Sequence, residues 1–295
     1  MITTKSLTKE ISELRGLGEL VSTYEFIAAS AMRRIRNTVL ENRAFHLGLN
    51  DVYQEVKRAY EADLRMLVGR RGEQVRKESI LMRKSKKTAL VFLSANTALY
   101  GDIIAKTFSL FIREAAHGGA DIVVIGKVGR ALLERELLGK KYIYFDFPDT
   151  AIAQENLKTI SKHLSQYEKV IVFHGRFKSL VSQEAAASSV SGDELEAIGR
   201  SDGAEGIKYI FEPSLETIVI FFETEIFGSL LEQVFHESRL AKLASRMILL
   251  DRASVNVGGV LKRMTFRRGQ LEHRAFNRKQ LDALSGIGLW TPSSS

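Results

Sequence analysis

Leu7–Val39 reads LTKEISELRGLGELVSTYEFIAASAMRRIRNTV, and the spacing of its apolar side chains decides the fold. Leu7, Ile11, Leu14, Val21, Ala28, Met32, Ile35 and Val39 fall at alternating steps of three and four, with Gly18 and Glu25 at the two remaining stations. That spacing draws a single apolar stripe down a helix, close to the 3.5-residue period at which two helices wind together. Gly16 and Gly18 weaken the first part of it. A narrow stripe on a long helix asks for a helical partner rather than a globular core.

The other end of the sequence supplies one. Leu230, Val234, Ser238, Ala241, Ser245, Ile248, Val255 and Gly259 repeat the spacing, interrupted by Arg252. Small residues on it (Ala241, Ala244, Ser245, Gly258, Gly259) allow a partner backbone to come close. Only Pro148, Pro213 and Pro292 are proline, so the first 147 residues and the 78 positions from Ser214 to Thr291 contain no strong helix breaker. A helix from Leu215 to Leu284 would extend about 105 Å at about 1.5 Å per residue. Two such helices at opposite ends of a chain pair naturally in antiparallel fashion.

The period changes in the middle. TALVFLS (88–94), DIVVIG (121–126), KYIYFDF (141–147), KVIVFH (169–174) and IKYIFE (207–212) are short β-branched or aromatic runs. Helix-like stretches at 103–116, 128–138 and 151–164 separate most of them. This alternation predicts an α/β domain with a largely parallel, buried sheet. Leu47–Met66 continues in helical style, Gly69–Gly72 reads as a loop, and the Ser/Ala/Gly-rich 185–202 reads as a surface excursion. No internal repeat is visible.

Composition narrows the function. The 295 residues are 45% hydrophobic and 26% charged, as for a chain with a real core, and contain no cysteine, which excludes disulfides, thiolate metal sites and cysteine catalysis. The net charge of +8 is uneven: residues 1–87 carry 18 basic and 11 acidic side chains, and residues 238–295 carry 11 and 3. Residues 213–237 hold five acids and no Lys or Arg. Both ends are thus suited to a negative partner, or to a solvated helix surface. The opening MITTKSLTKE lacks the form of a signal peptide, and no apolar run reaches the ~18 residues that span a bilayer. The expectation is a soluble intracellular protein with no direct membrane span.

Few residues suggest chemistry. Gly126-Lys127-Val128-Gly129-Arg130 sits where a phosphate-binding turn would, but it lacks the G-x-G-x-x-G and P-loop spacings and reads first as a tight strand-to-helix turn. His46, His117, His163, His174, His236 and His273 are scattered, without metal-ligand spacing. His174 and Asp146 fall at ends of predicted strands, where α/β sites often form, yet neither has a recognisable catalytic partner. No G-x-S-x-G or acid pair is present. The clusters at 33–36 and 84–87 could touch nucleic-acid phosphates, although no recognition helix, zinc module or RNA-stacking motif accompanies them.

The order of parts resembles the gamma subunit of F-type ATP synthases, the central rotor shaft. Phe26-Ile27-Ala28-Ala29-Ser30-Ala31-Met32-Arg33-Arg34 is similar to that family's MVAASKMRK-type stretch. Leu93–Gly101 occupies the place of its VSSDRGLCGG loop, Phe211-Glu212-Pro213 that of YEP, Ser238–Met247 that of SEqxARMxAM, and Arg252–Asn256 that of kxATDNA. The loop departs from the family pattern, losing the charged pair, two glycines and the cysteine, so the chain resembles a divergent member.

The resemblance implies a fold of the α/β class plus a long antiparallel coiled coil. An N-terminal shaft helix (1–70) and a C-terminal shaft helix (213–286) would enclose a Rossmann-like, mostly parallel α/β domain (88–212). The paired stripe would comprise Ile11, Leu14, Val21, Ala28, Met32 and Ile35 against Val234, Ala241, Ser245, Ile248 and Val255. The implied partners are the alpha and beta subunits, the epsilon subunit and the ring of c subunits. No catalytic residue, cofactor or metal is implied, and nucleic acid is not expected. The place would be peripheral, on the cytoplasmic side of a membrane. Arg33, Arg34, Arg36, Arg246, Arg252, Arg263, Arg267 and Arg268 would face alpha and beta, and a shaft turning in a sleeve should carry few apolar side chains outside. The alternative is a non-rotary, basic coiled-coil scaffold for nucleic acid or acidic proteins.

Overall fold

The computed structural model describes residues 4–59, 85–136, 139–190 and 215–288. The predicted strand at 207–212 and the predicted loop at 69–72 lie outside them. Helix α1 spans Thr4–Ala59, and strand β1 (Ser85–Leu93) follows. Then come α2 (Ile103–Ala116), β2 (Ala120–Ile125), α3 (Lys127–Glu136), β3 (Tyr142–Phe145), α4 (Gln154–Leu164), β4 (Tyr167–Phe177), β5 (Gln183–Ser189) and α5 (Leu215–Gly288). The residues group into two compact units, Met1–Ala28 with Met247–Ser295, and Ala29–Arg246.

The larger unit is built on a mixed five-stranded sheet of order β3-β2-β1-β4-β5. The first four strands are parallel and β5 runs antiparallel to β4. Alternation along β1 assigns its two faces. Ala89, Val91 and Leu93 pack with Val123, Ile125, Val170 and Val172 beneath Leu157, Ile160 and Leu164 of α4 and Leu231, Val234 and Phe235 of α5. Leu90 and Phe92 pack on the opposite face with Val124, Phe173, Phe108 and Phe111 of α2, and Leu133 of α3. The strands read as unbroken apolar runs because both faces are covered.

Gln183–Ser189 is a strand, with Ala186 opposite His174 and Ser188 opposite Val172, which corrects the first part of the predicted excursion at 185–202; its remainder from 191 lies outside the described residues. In the same unit α1 runs antiparallel to α5. The Tyr53 and Phe222 rings lie 5.9 Å apart, while the charge of Arg34 acts on Arg239, so advance along one helix is retreat along the other.

In the smaller unit the stripe of α1 faces inward. Leu7, Ile11, Val21 and Ala28 are buried, and Leu14 and Gly18 are half-buried. On α5 the inward positions are Leu250, Ser254, Val257, Leu261, Met264, Arg268 and Leu271, a run of strict three- and four-residue steps. A Cβ built on Gly18 would sit 3.5 Å from Val257 Cγ1, so the two helices meet there. Val255 is 68% exposed, which corrects its place in the expected stripe. The real seam keeps the three- and four-residue steps but in another phase, set by Leu250 rather than Ile248, and the exposed Arg252 marks where the two part. Beyond Leu271 every described side chain to Ser285 is exposed. The expectation of a sparsely apolar outer surface also needs correction, because Leu17, Leu20, Tyr24 and Ile27 form an exposed apolar row on α1.

Candidate functional site

A parallel sheet of this order has a switch point between β1 and β4, where connections leave toward opposite faces. Ligands of such sheets bind at the carboxyl ends of the strands there. In this protein the chain's own helix occupies that place. Lys242 of α5 donates from Nζ to the carbonyl of Ser94, at the end of β1, at 2.8 Å. Ala241, one residue earlier, lies so near β4 that a Cβ on Gly175 would come within 3.2 Å of its Cβ.

Two arginines flank the lysine on the same helix. Arg239 donates to the carbonyl of Thr150. Arg246 donates from Nε to Leu99 O at 3.2 Å and from Nη2 to Ala98 O at 3.0 Å, and its Cζ lies 3.9 Å from the centroid of the Tyr100 ring. The loop they grip is closed by Asp149, whose carboxylate accepts from the amides of Asn96 and Thr97 and from Thr97 Oγ1. Leu99 has φ of 68°, a conformation a leucine rarely adopts, and the fork of Arg246 on its carbonyl and the one before helps to hold it.

Burial governs the electrostatics here. Lys242 is almost fully enclosed, and loss of hydration pushes its pKa down to about 8, against the partial compensation of Asp149. Arg239 is shifted down and the Tyr100 phenol up, again chiefly by burial. The cavity left among Ser94, Gly126, Asp149, Arg239 and Lys242 measures about 20 Å³, room for about one water and far below a ligand pocket.

The glycine-rich turn is a packing device. Gly126 has φ of 100°, and a Cβ there would meet the backbone of Ala95 at 2.8 Å. The amides that open α3 already have protein acceptors: Lys127 N donates to Asn96 Oδ1 and Val128 N to Ala95 O, each at 2.9 Å. The first turn of α3 therefore holds the β1 loop in the position a phosphate would take.

His174 is corrected from a strand end to the interior of β4, opposite Ala186. It is fully buried, lies 3.0 Å from Gly175 O through Nδ1 and 2.9 Å from Ser188 Oγ through Nε2, and burial pushes its pKa down to about 4. The neutral ring therefore carries its proton on Nδ1 and accepts from Ser188. Asp146 follows β3 and is held by Asn96 Nδ2 and Lys127. No contact among the described residues joins it to His174, and no three His, Asp or Glu side chains there converge as a metal site.

The sequence-selected arginines divide. Arg33, Arg34 and Arg36 are exposed on α1 in the larger unit, and Arg252, Arg263 and Arg267 are exposed on α5 in the smaller one. Arg268 is half-buried and lies 3.4 Å from Glu272, one turn on. Arg246 is half-buried and engaged within its own unit. Sequence reasoning missed Lys242 and Asp149 altogether. Their only signal was a lysine amid an otherwise small and apolar stretch, Leu240–Ser245.

Comparison with known proteins identifies this arrangement. Residues 3–271 match the family model described as ATP synthase, and the chain belongs to that family. Its curated relatives are gamma chains. It is 22% identical over 305 residues to the ATP synthase gamma chain of Geotalea daltonii, covering 97% of this chain and 98% of that one. With the gamma chain of Cereibacter sphaeroides it shares 24% identity over 305 residues, covering 96% and 97%. Its fold is similar to a chain in the cryo-EM structure of the Euglena gracilis mitochondrial ATP synthase (OSCP/F1/c-ring, rotational state 3), with a TM-score of 0.51, 14% identity, and 88% and 95% of the two chains covered. The family match stops at residue 271, where the buried seam of α5 also ends.

Proposed function

We propose that this chain is the gamma subunit of an F-type ATP synthase, the rotor that couples ion flow through a membrane ring to the nucleotide sites of the beta subunits. The observation that carries the reading is the family match along 3–271 to a chain whose two terminal helices lie antiparallel beside an α/β sheet. The match leaves the nucleic-acid scaffold without support.

The chain acts mechanically. A rotor shifts a beta subunit between nucleotide affinities only if it interacts unequally with the alternative beta conformations. Asymmetry is built into its surface, with exposed arginines at 33, 34 and 36 of α1, at 252, 263 and 267 of α5, and an apolar row on α1. The arginines attract acidic beta loops over several ångströms, in an orientation-dependent way. The apolar row adds contacts of short range.

Finer features follow from the same reading. The seam of α1 and α5 is a coiled coil, the α/β domain is Rossmann-like, and the functional division is 1–70, 88–212 and 213–286. The subunit is non-catalytic, consistent with the switch point being filled by Lys242 and Ala241. It works peripherally on the cytoplasmic side, with alpha, beta, epsilon and the c ring as partners. No helix among the described residues is long and apolar enough to cross a membrane.

Co-expression with cognate alpha and beta subunits tests this. A complex with three alpha, three beta and one copy of this chain, hydrolysing ATP only in its presence, is the expected result. Absence of that complex, with salt-sensitive nucleic-acid binding by the isolated chain, would overturn it.

A further inference from the structure

Arg239, Lys242 and Arg246 stand at i, i+3 and i+7 of α5, on one face and within about 10 Å of helix axis. Each ends on a main-chain carbonyl at the carboxyl edge of the sheet: Thr150 after β3, Ser94 after β1, and Ala98 with Leu99 in the β1–α2 loop. Asp149 ties the first of these loops to the last through Asn96 and Thr97. It also favours the charged form of Lys242 and, after Tyr100, that of Arg239.

We propose that these three cations form a torque joint, which fixes the rotation of α5 about its own axis so that the sheet and the helix turn as one body. The proposal rests on the rotor reading and names where in the chain force passes from domain to shaft. Leu231, Val234 and Phe235 already pack α5 onto the sheet, but apolar contact is non-directional and resists rolling poorly. Hydrogen bonds to carbonyls are directional, and these acceptors belong to backbone without rotamer freedom. Two loops are gripped, the β1–α2 loop at both its start and its middle and the β3–α4 loop at Thr150, so neither can yield alone.

The choice of lysine at 242 supports this. Enclosing its ammonium group carries a hydration cost, visible as the lowered pKa, and an apolar residue of similar volume commonly serves stability as well or better. A merely structural contact has no need of the charge. A joint does, because an ammonium group makes a charge-assisted, stronger hydrogen bond to Ser94 O than a neutral donor would.

The test uses the full-length chain assembled with alpha, beta, epsilon and the ring in membrane vesicles, with ATP hydrolysis and ion uptake measured together. Lys242→Met should lower the ions moved per ATP by about threefold or more, and Lys242→Arg, which keeps charge and donor, should restore most of the loss. Amide exchange on the isolated full-length chain provides the second measurement. In Lys242→Met, amides of 94–101 should exchange about tenfold faster while those of β2 and β4 keep their rates. A wild-type ratio of ions to ATP in Lys242→Met, or core strands loosening in step with the loop, would overturn the joint. Failure of the wild-type chain to assemble would instead strike the rotor reading, and amide exchange would still judge the joint.

Discussion

The guanidinium carbon of Arg246 lies 3.9 Å from the centre of the Tyr100 ring while its nitrogens hold the carbonyls of Ala98 and Leu99. Lysine at 246 would keep the charge and lose the fork. Arg246→Lys should therefore cost about 1–2 kcal/mol in urea unfolding. In a double-mutant cycle with Tyr100→Leu the coupling should be about 1 kcal/mol. Additive effects of the two substitutions would refute the contact.

Gly101 closes the same loop with φ of 62°, and a Cβ there would collide with Ser245 Oγ and stand 3.2 Å from Ser245 O. Gly101→Ala combines a left-handed backbone with a collision, so a loss of about 2–3 kcal/mol is expected. Adding Ser245→Ala removes the hydroxyl and leaves the backbone cost. The double variant should recover part of the loss, as read by thermal unfolding.

His174 makes stability depend on acidity. Its folded pKa of about 4 lies below the ordinary 6.5, so between those values the unfolded chain binds the extra proton. Stability is fully present above about pH 6.5 and falls as the pH drops through 4. At pH 5 the loss relative to pH 8 should be about 2 kcal/mol. His174→Gln should flatten that slope, and a melting curve for the variant with the same acid dependence would exclude His174 as its source.

Gly18 offers a gain. A methyl group there meets Val257 Cγ1 at 3.5 Å, ordinary van der Waals distance, and glycine inside a helix is costly. Gly18→Ala should stabilise the chain by about 1 kcal/mol, measured by helical circular dichroism on heating. A loss would mean that the helices lie closer than the structure has them.

These sites differ in how far sequence could reveal them. The spacing from Leu7 to Ile35 announces a helix seam because burial repeats with the turn of the helix. Val91, Val124 and Val172 announce buried strands because β-branched side chains fill both faces of a covered sheet. Gln183–Ser189 carries no such mark, since its alanines and serines read as a loop until β4 pairs with them. Carrying the stripe on from Ile248 in unchanged phase misplaced Val255, because the seam restarts at Leu250. The grip of Arg239, Lys242 and Arg246 was hidden for a deeper reason: its acceptors are carbonyls, which every residue has. Among its side chains, Lys242 alone stood out, a lysine within the small and apolar Leu240–Ser245.

The last 17 residues of α5, from Glu272 to Gly288, continue for about 25 Å after its buried seam ends at Leu271. A lone helix of that length is only marginally stable in water. In the free chain these turns should melt first on warming, well before the sheet, and a surrounding collar of protein would silence that early transition. The tip thus doubles as a built-in thermometer of assembly, legible in the first degrees of a heating curve.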